Sequence, residues 1–164
     1  MAILYKPKYL VAQELCDSEY YAQASKANAE YVYWQFNPLV LVTVDLLRER
    51  FGGVTVNNWH TGGPFSQRGL RTNNSTGAMF GPHKRGAALD CNFKNAEPEE
   101  IREVMRKAGC FEPGFKDRTN LGNDECFRHI GRVELTQNGK IINWFHFDIW
   151  NCQNTDGSVL GLRA

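Results

Sequence analysis

The sequence predicts an α+β fold with a mainly antiparallel sheet and helices packed on one side of it. Helical segments come first along the chain, and the strands follow with one helix between them, which is an order typical of this class. Asn138-Gly139 lies between two β-rich runs and is the strongest short signal for a hairpin. The length of 164 residues fits one domain. We expect a helical N-terminal extension over residues 1–36 and a core over 37–150.

The N-terminal elements are predicted from composition and from breaker residues. Residues 12–35 are rich in Ala, Glu, Tyr and Lys and predict one or two helices. Pro38 suits the first turn of a helix over residues 39–51, which Gly52 and the next glycine end. A short β-branched strand is expected at residues 54–56.

The C-terminal elements begin with a long loop. Residues 57–82 are rich in Gly, Asn, Ser and Thr, and a loop of that length in a small domain is usually functional. A strand is predicted at residues 89–93, and a helix from Glu97 to about Ala108 carries acidic residues at its positive end. Strands over residues 132–136 and 140–150 complete the hairpin.

Charge and hydropathy exclude several classes of protein. The net charge of +1 gives no electrostatic case for a nucleic-acid partner. The apolar run at residues 39–44 is far shorter than the ~20 residues of a membrane span, so membrane insertion is not expected. Residues 1–15 lack the layout of a secretory signal. The five cysteines form no CxxC pair and are predicted to be buried thiols. Nothing in the sequence indicates an oligomeric state.

Two segments combine to predict a metal site. Residues 83–90 read HKRGAALD, and the small residues between His83 and Asp90 would let both ends reach one ion. Residues 144–148 read WFHFD and add His146 on a strand. Two imidazoles and one carboxylate leave a fourth zinc position open, as in hydrolytic sites. Another divalent ion could occupy the same set. Alternate strand residues share a face, so four side chains should point the same way: Trp144, His146, Asp148 and Trp150.

These motifs resemble those of the zinc D-Ala-D-Ala carboxypeptidases and peptidoglycan endopeptidases, whose fold is shared with the Hedgehog signalling domain. The family pattern is S-x-H-x-x-G-x-A-x-D followed by a strand histidine, and residues 81–90 match all but the leading serine. The LRERFG run at 47–52, the VTV strand at 54–56 and the GLR turn at 69–71 also resemble the family. The resemblance covers about residues 37–150.

The resemblance implies a fold, a site and an activity. It makes His83, Asp90 and His146 the ligands of Zn²⁺. It makes Arg71 the candidate for holding the substrate carboxylate or the oxyanion, a role that suits a fixed cationic fork. Lys84 and Arg85 are expected to face solvent.

The chain departs from the family pattern at the general base. The usual carboxylate lies three residues before the last histidine, where this sequence has Asn143. Counting from the Asn138-Gly139 turn pairs Glu134 with Asn143, on the sheet face opposite to His146, unless a bulge intervenes.

The same count places Asp148 opposite His129 on the face of the metal site. We therefore take His129 and Asp148 as candidates for the general base and its orienting partner, or for support of an imidazole tautomer. His60, in the long loop, is a further candidate for lining the cleft.

Three functions follow, in order of preference. The first is zinc-dependent hydrolysis of peptide bonds in peptidoglycan, as a carboxypeptidase or an endopeptidase. Without an export signal such an enzyme would be made in the cytoplasm and reach the cell wall in a phage particle or through a holin. The second is a non-catalytic zinc-containing binding or structural module, which Asn143 favours. The third is a small-molecule amidase or cyclic-peptide hydrolase with the same site.

Overall fold

The computed structural model describes residues 5–110 and 124–149. Within them the chain forms a four-stranded antiparallel sheet with the strand order β1-β2-β4-β3, so that β2 and β4 lie in the centre. The strands are β1 (Val54–Thr55), β2 (Ala88–Phe93), β3 (Arg132–Gln137) and β4 (Lys140–Asp148). The predicted α+β class with an antiparallel sheet is confirmed.

The described part of the chain also forms helices. They are α1 (Ala12–Leu15), α2 (Ser18–Ala24), α3 (Tyr31–Trp34), α4 (Pro38–Phe51) and α5 (Pro98–Lys107), with 3₁₀ turns at Trp59–Thr61 and Pro82–Arg85. As predicted, Pro38 opens α4 and Gly52, with φ of 83°, ends it. None of these helices has the length and apolar character needed to cross a membrane.

One hydrophobic core joins the sheet to the two long helices. The core side of the sheet carries the apolar residues that alternate with the polar ones, such as Leu89, Phe145 and Phe147. Buried residues of α4 and α5, among them Leu47 and Ile101, belong to the same cluster. Consequently Asp90 and His146, which alternate with these core residues, lie on the other face of the sheet.

The N-terminal segment forms three short helices instead of the predicted one or two. The break after α1 occurs because Asp17 caps the start of α2, accepting a hydrogen bond from the Tyr20 amide at 2.7 Å. Leu15 is fully buried in the core, and its carbonyl accepts a 2.8 Å bond from the Leu70 amide. The segment therefore packs against the loop that leads to Arg71.

The hairpin of β3 and β4 contains an irregularity that changes its register. Close to the turn, Thr136 pairs with Ile141, as the simple count predicts. Beyond it, Glu134 pairs with His146, so that β4 contains three more residues than β3 between these two pairs. An odd surplus exchanges the two faces of a strand. Glu134 thus shares the face of His146, and the predicted pairing of Glu134 with Asn143 is wrong.

The same shift overturns the predicted partner of Asp148. Asp148 lies opposite Arg132, and His129 precedes β3 in a turn instead of pairing in the ladder. The count failed because it assumed an unbroken ladder from the turn outward.

The cysteines follow the prediction where they are described. Cys16 and Cys91 are buried free thiols, Cys110 is buried, and Cys126 is a half-buried free thiol. Cys152 lies outside the described residues.

Candidate metal centre

Three sequence-predicted ligands, His83, Asp90 and His146, converge on one point. Asp90 on β2 lies directly across from His146 on β4, because these central strands pair in that register. His83 reaches the same point from the 3₁₀ turn just before β2. One ligand atom from each side chain lies within 4.8 Å of the others, and all three residues are buried. The predicted convergence of the three side chains is confirmed.

A glycine allows the turn that carries His83 to sit close to the helices. Gly86 has φ of 63°, and a Cβ atom there would come within 2.0 Å of the Gln35 carbonyl oxygen. The Gly86 carbonyl in turn accepts a 2.9 Å hydrogen bond from the Asn37 amide, just before α4. This close approach fixes the direction in which His83 enters the site.

Hydrogen bonds orient the two imidazoles. The Nδ1 atom of His83 donates to the Gly69 carbonyl at 3.0 Å, which leaves Nε2 facing Asp90 Oδ2 at 3.4 Å. His146 faces Asp90 Oδ1 through Nδ1 at 2.7 Å. Its Nε2 lies 3.5 Å from Asp148 Oδ2, too far for a well-formed hydrogen bond, and has no hydrogen-bond partner among the described residues. The Gly69 carbonyl supports the imidazole of His83 in the way usual for a metal ligand, and the Asp148 carboxylate lies behind the imidazole of His146.

The donor set fits a divalent metal ion. It consists of Nε2 of His83, Nδ1 of His146 and a carboxylate oxygen of Asp90, which are donor types that zinc binds at ~2.0–2.2 Å. Three protein ligands leave room for one more, which is the arrangement of catalytic zinc sites. The set does not by itself select zinc over other divalent ions.

The protonation of the cluster is set by burial and by mutual charge. Burial alone would raise the pKa of Asp90, but bonds from His146 and His83 hold the pKa of this carboxyl well below its usual value. Burial lowers the pKa of His83. Burial opposes charge on His146 as well, yet Asp148 and Asp90 together raise its pKa to about 9. Without a metal ion, these shifts favour a protonated imidazole at His146 and a neutral one at His83, so an incoming cation competes with the additional proton of His146.

Arg71 lies in the site, as predicted. Its side chain is only 16% exposed, and Nη2 donates to Asp90 Oδ2 at 3.2 Å while Nε donates to the Gln67 carbonyl. Burial lowers the pKa of Arg71, and the negative charges of Asp90 and Glu134 oppose that effect. The guanidinium thus contacts Asp90, and the charge of Glu134 also acts on it.

A cleft of about 260 Å³ opens over the three ligands. Glu134, Arg132, Trp144 and Lys84 are among the side chains that line it. Asn143 is exposed and is not among the lining residues. The carboxylate that faces the cleft therefore comes from β3, the neighbouring strand, and not from the position in β4 that the family pattern uses.

A signal for Glu134 was present in the alternation of the sequence. Charged residues at 132 and 134 alternate with apolar Val133 and Leu135, which shows that Arg132 and Glu134 share a polar face. The unbroken register would set Arg132 opposite Phe145, which belongs to the core face. Matching polar face to polar face requires the bulge that the structure contains.

Two predicted catalytic residues do not line the cleft. Asp148 is 1% exposed and lies behind His146, where it also accepts a 3.1 Å bond from Arg132 Nε. Its position suits an orienting role and not that of a proton acceptor. His129, in the turn before β3, accepts a hydrogen bond from Arg128 Nε at 3.1 Å and is not among the lining residues. Its predicted place beside Asp148 depended on the unbroken register and is wrong.

The remaining predictions have mixed outcomes. His60 is exposed in a 3₁₀ turn and does not line the cleft. Arg85 faces solvent, as expected, above the ring of Phe80. Lys84 is half-buried at the rim of the cleft and donates to the Asn73 carbonyl at 2.9 Å, so it is not simply solvated. Trp150 lies outside the described residues.

Comparisons with family models, with curated proteins and with solved structures found no match. The resemblance to zinc peptidases therefore stays a prediction from the motifs.

Proposed function

We propose that this protein hydrolyses peptide bonds of bacterial peptidoglycan with a zinc ion bound by His83, Asp90 and His146. The observation that carries the proposal is the position of Glu134, whose strand pair with His146 puts it in the cleft over the ligand set. A hydrolytic site needs a proton acceptor beside its metal, and this carboxylate supplies one. The restriction to peptidoglycan rests on the motif at residues 81–90.

Three groups would take part in the reaction: a zinc ion, Glu134 and Arg71. A zinc ion bound here would activate water as a nucleophile and polarise the scissile carbonyl. Glu134 would take the proton from the attacking water and later deliver it to the leaving amine. Arg71, held beside Asp90, would stabilise the negative charge that develops on the carbonyl oxygen.

The cleft would hold the substrate between aromatic and cationic walls. Trp144 and Arg132 are on β4 and β3 respectively, and both line it. Nε of Arg132 donates a hydrogen bond to the buried Asp148, and this bond fixes the direction of the Arg132 guanidinium. Such a cleft suits a peptide that carries a carboxylate, which is a feature of wall stem peptides.

Release of new amines from purified peptidoglycan tests the proposal. The zinc-loaded protein is expected to release them, and a His83→Ala variant that remains folded is expected to release none. The matched control is His60→Ala, which removes an exposed histidine outside the cleft and should keep full activity. Zinc binding without release from several wall types would contradict hydrolysis and leave a zinc-containing binding module.

A further inference from the structure

The register of the β3–β4 hairpin shifts between Glu134 and Thr136, beside the cleft. A buried arginine contacts both strands at this shift. Arg102 of α5 is 1% exposed. Its Nη2 atom donates to the Trp144 carbonyl at 2.9 Å and to the Glu134 carbonyl at 3.3 Å. These two carbonyls belong to the two strands at the place where their register shifts. One guanidinium therefore joins the strands where regular pairing is interrupted.

A bulge leaves backbone groups without their ladder partners, and buried carbonyls need donors. Arg102 provides a donor to both strands, from a helix that is itself anchored in the core by Ile101 and Met105. The packing of α5 in the core therefore holds the donor against the hairpin.

The positive charge of Arg102 is only weakly compensated by its ion pair with Glu99. Its acidic neighbour Glu99 lies 3.3 Å away at Nη1 but is 61% exposed, and such a partner compensates a buried cation poorly. Nε of Arg102 has no hydrogen-bond partner among the described residues. The contacts that justify burying this charge are the two carbonyls of the hairpin.

We infer that Arg102 is a positioning residue: it holds the β3–β4 bulge and thereby keeps Glu134 on the cleft face opposite His146. Without the bulge, Glu134 would pair with Asn143 and turn to the other face. The role of Glu134 as proton acceptor rests on the proposed function, whereas the position of Glu134 does not.

Cross-strand nuclear Overhauser contacts measure the register directly in the metal-free protein. The wild-type protein is expected to show backbone contacts between Glu134 and His146. Arg102→Met keeps most of the side-chain volume but removes the donors, and it is expected to lose these contacts or to show contacts between Glu134 and Asn143. Retention of the Glu134–His146 contacts in this variant would overturn the inference.

Activity and metal binding give a second readout. A residue that only stabilised the fold would affect zinc affinity and kcat together, whereas a positioning residue should lower kcat and leave zinc affinity unchanged. Asp90 and His146 are paired with each other through β2 and β4, and the third ligand, His83, precedes β2, so the ligand set contains no residue of β3. Zinc affinity of Arg102→Met is therefore expected within about threefold of the wild type, while kcat falls as far as in Glu134→Gln and KM changes little. Unchanged kcat would count against the positioning role.

Two further variants complete the design. Arg106→Gln is the control, because Arg106 pairs with Glu99 from the same helix but is 41% exposed. The hairpin register and kcat of this variant should stay as in the wild type. If Arg102→Met does not fold, Arg102→Gln takes its place: its shorter neutral side chain cannot join both carbonyls, and wild-type contacts and kcat there would overturn the inference. If the wild type releases no amines, the proposed function fails, and the Overhauser contacts still decide the role of Arg102.

Discussion

Glu134 and His146 face each other across β3 and β4 on the polar side of the sheet. His146 is also paired with Asp90 on its other side, so one row of the sheet contains Glu134, His146 and Asp90. Side chains of directly paired residues stand about 4.5–5.5 Å apart at Cβ. The row therefore places the carboxylate of Glu134 beside His146, which in turn lies beside Asp90. The following predictions depend on that arrangement.

Removal of a ligand should abolish tight metal binding. His83→Ala, Asp90→Asn and His146→Ala are each expected to weaken zinc binding by at least about 100-fold, since loss of even a supporting residue costs ~10–100-fold. Competition with a chromophoric chelator measures the affinity, with His60→Ala as the control. Wild-type affinity in any of the three variants would remove that residue from the site.

Zinc binding should depend on pH through His146. The ion needs the unprotonated imidazole, and the pKa of His146 is raised to about 9 in the metal-free protein. Apparent affinity should therefore rise about tenfold per pH unit as pH increases toward 9, and then level off. The pKa of His83 is lowered and that of Asp90 is depressed, so neither should add a second proton near neutrality. Calorimetry at pH 6, below the ~7 at which a zinc-bound water ionises, in buffers of different ionisation enthalpy counts the protons released from the ligands. A value near two there would contradict this assignment.

Glu134→Gln should separate metal binding from turnover. The amide keeps the shape of the side chain but cannot accept the proton, so hydrolysis should fall by about 10²–10⁴-fold. Zinc affinity should stay close to that of the wild type because Glu134 is not in the ligand set. Asn143→Ala is the matched control, as this exposed residue lies off the cleft. Full activity in Glu134→Gln would require another proton acceptor.

Asp148 should act through His146. Asp148→Asn removes the negative charge behind the Nε2 atom of His146 and weakens the support of Arg132. Zinc affinity is expected to fall ~10–100-fold, as for other supporting residues of metal sites. If instead only turnover changed while affinity stayed constant, Asp148 would belong to the reaction itself, as the sequence first suggested.

Gly86 should be intolerant of a side chain. Alanine there would adopt an unfavourable positive φ and place Cβ within 2.0 Å of the Gln35 carbonyl oxygen. The strain and overlap together should cost at least about 3 kcal/mol of unfolding free energy in urea. Gly109 has a similar φ of 70°, and no atom of the described residues beyond its chain neighbours lies within 4 Å of its Cβ position, so Gly109→Ala should cost only ~1–2 kcal/mol. Equal losses would show that crowding at Gly86 is unimportant.

The sequence by itself predicted most of the elements and the three side chains that meet at the candidate metal site. Local rules are enough to interpret signals that depend on neighbouring residues. These signals are the breakers at Pro38 and Gly52, the Asn138-Gly139 turn and the alternation around His146. The spacing from His83 to Asp90 is likewise local, so it predicted which side chains would meet.

The tertiary structure decided which carboxylate faces the metal site. The face on which Glu134 lies depends on a register shift, and that shift depends on a guanidinium from α5, about thirty residues earlier in the chain. The alternation at residues 132–135 marks the polar face of β3, but it does not show where the surplus residues of β4 are accommodated or that Arg102 contacts both strands. The three surplus residues of β4 turn Glu134 toward the cleft, because faces in a sheet alternate with every residue. The same surplus removes His129 from the strand pairing.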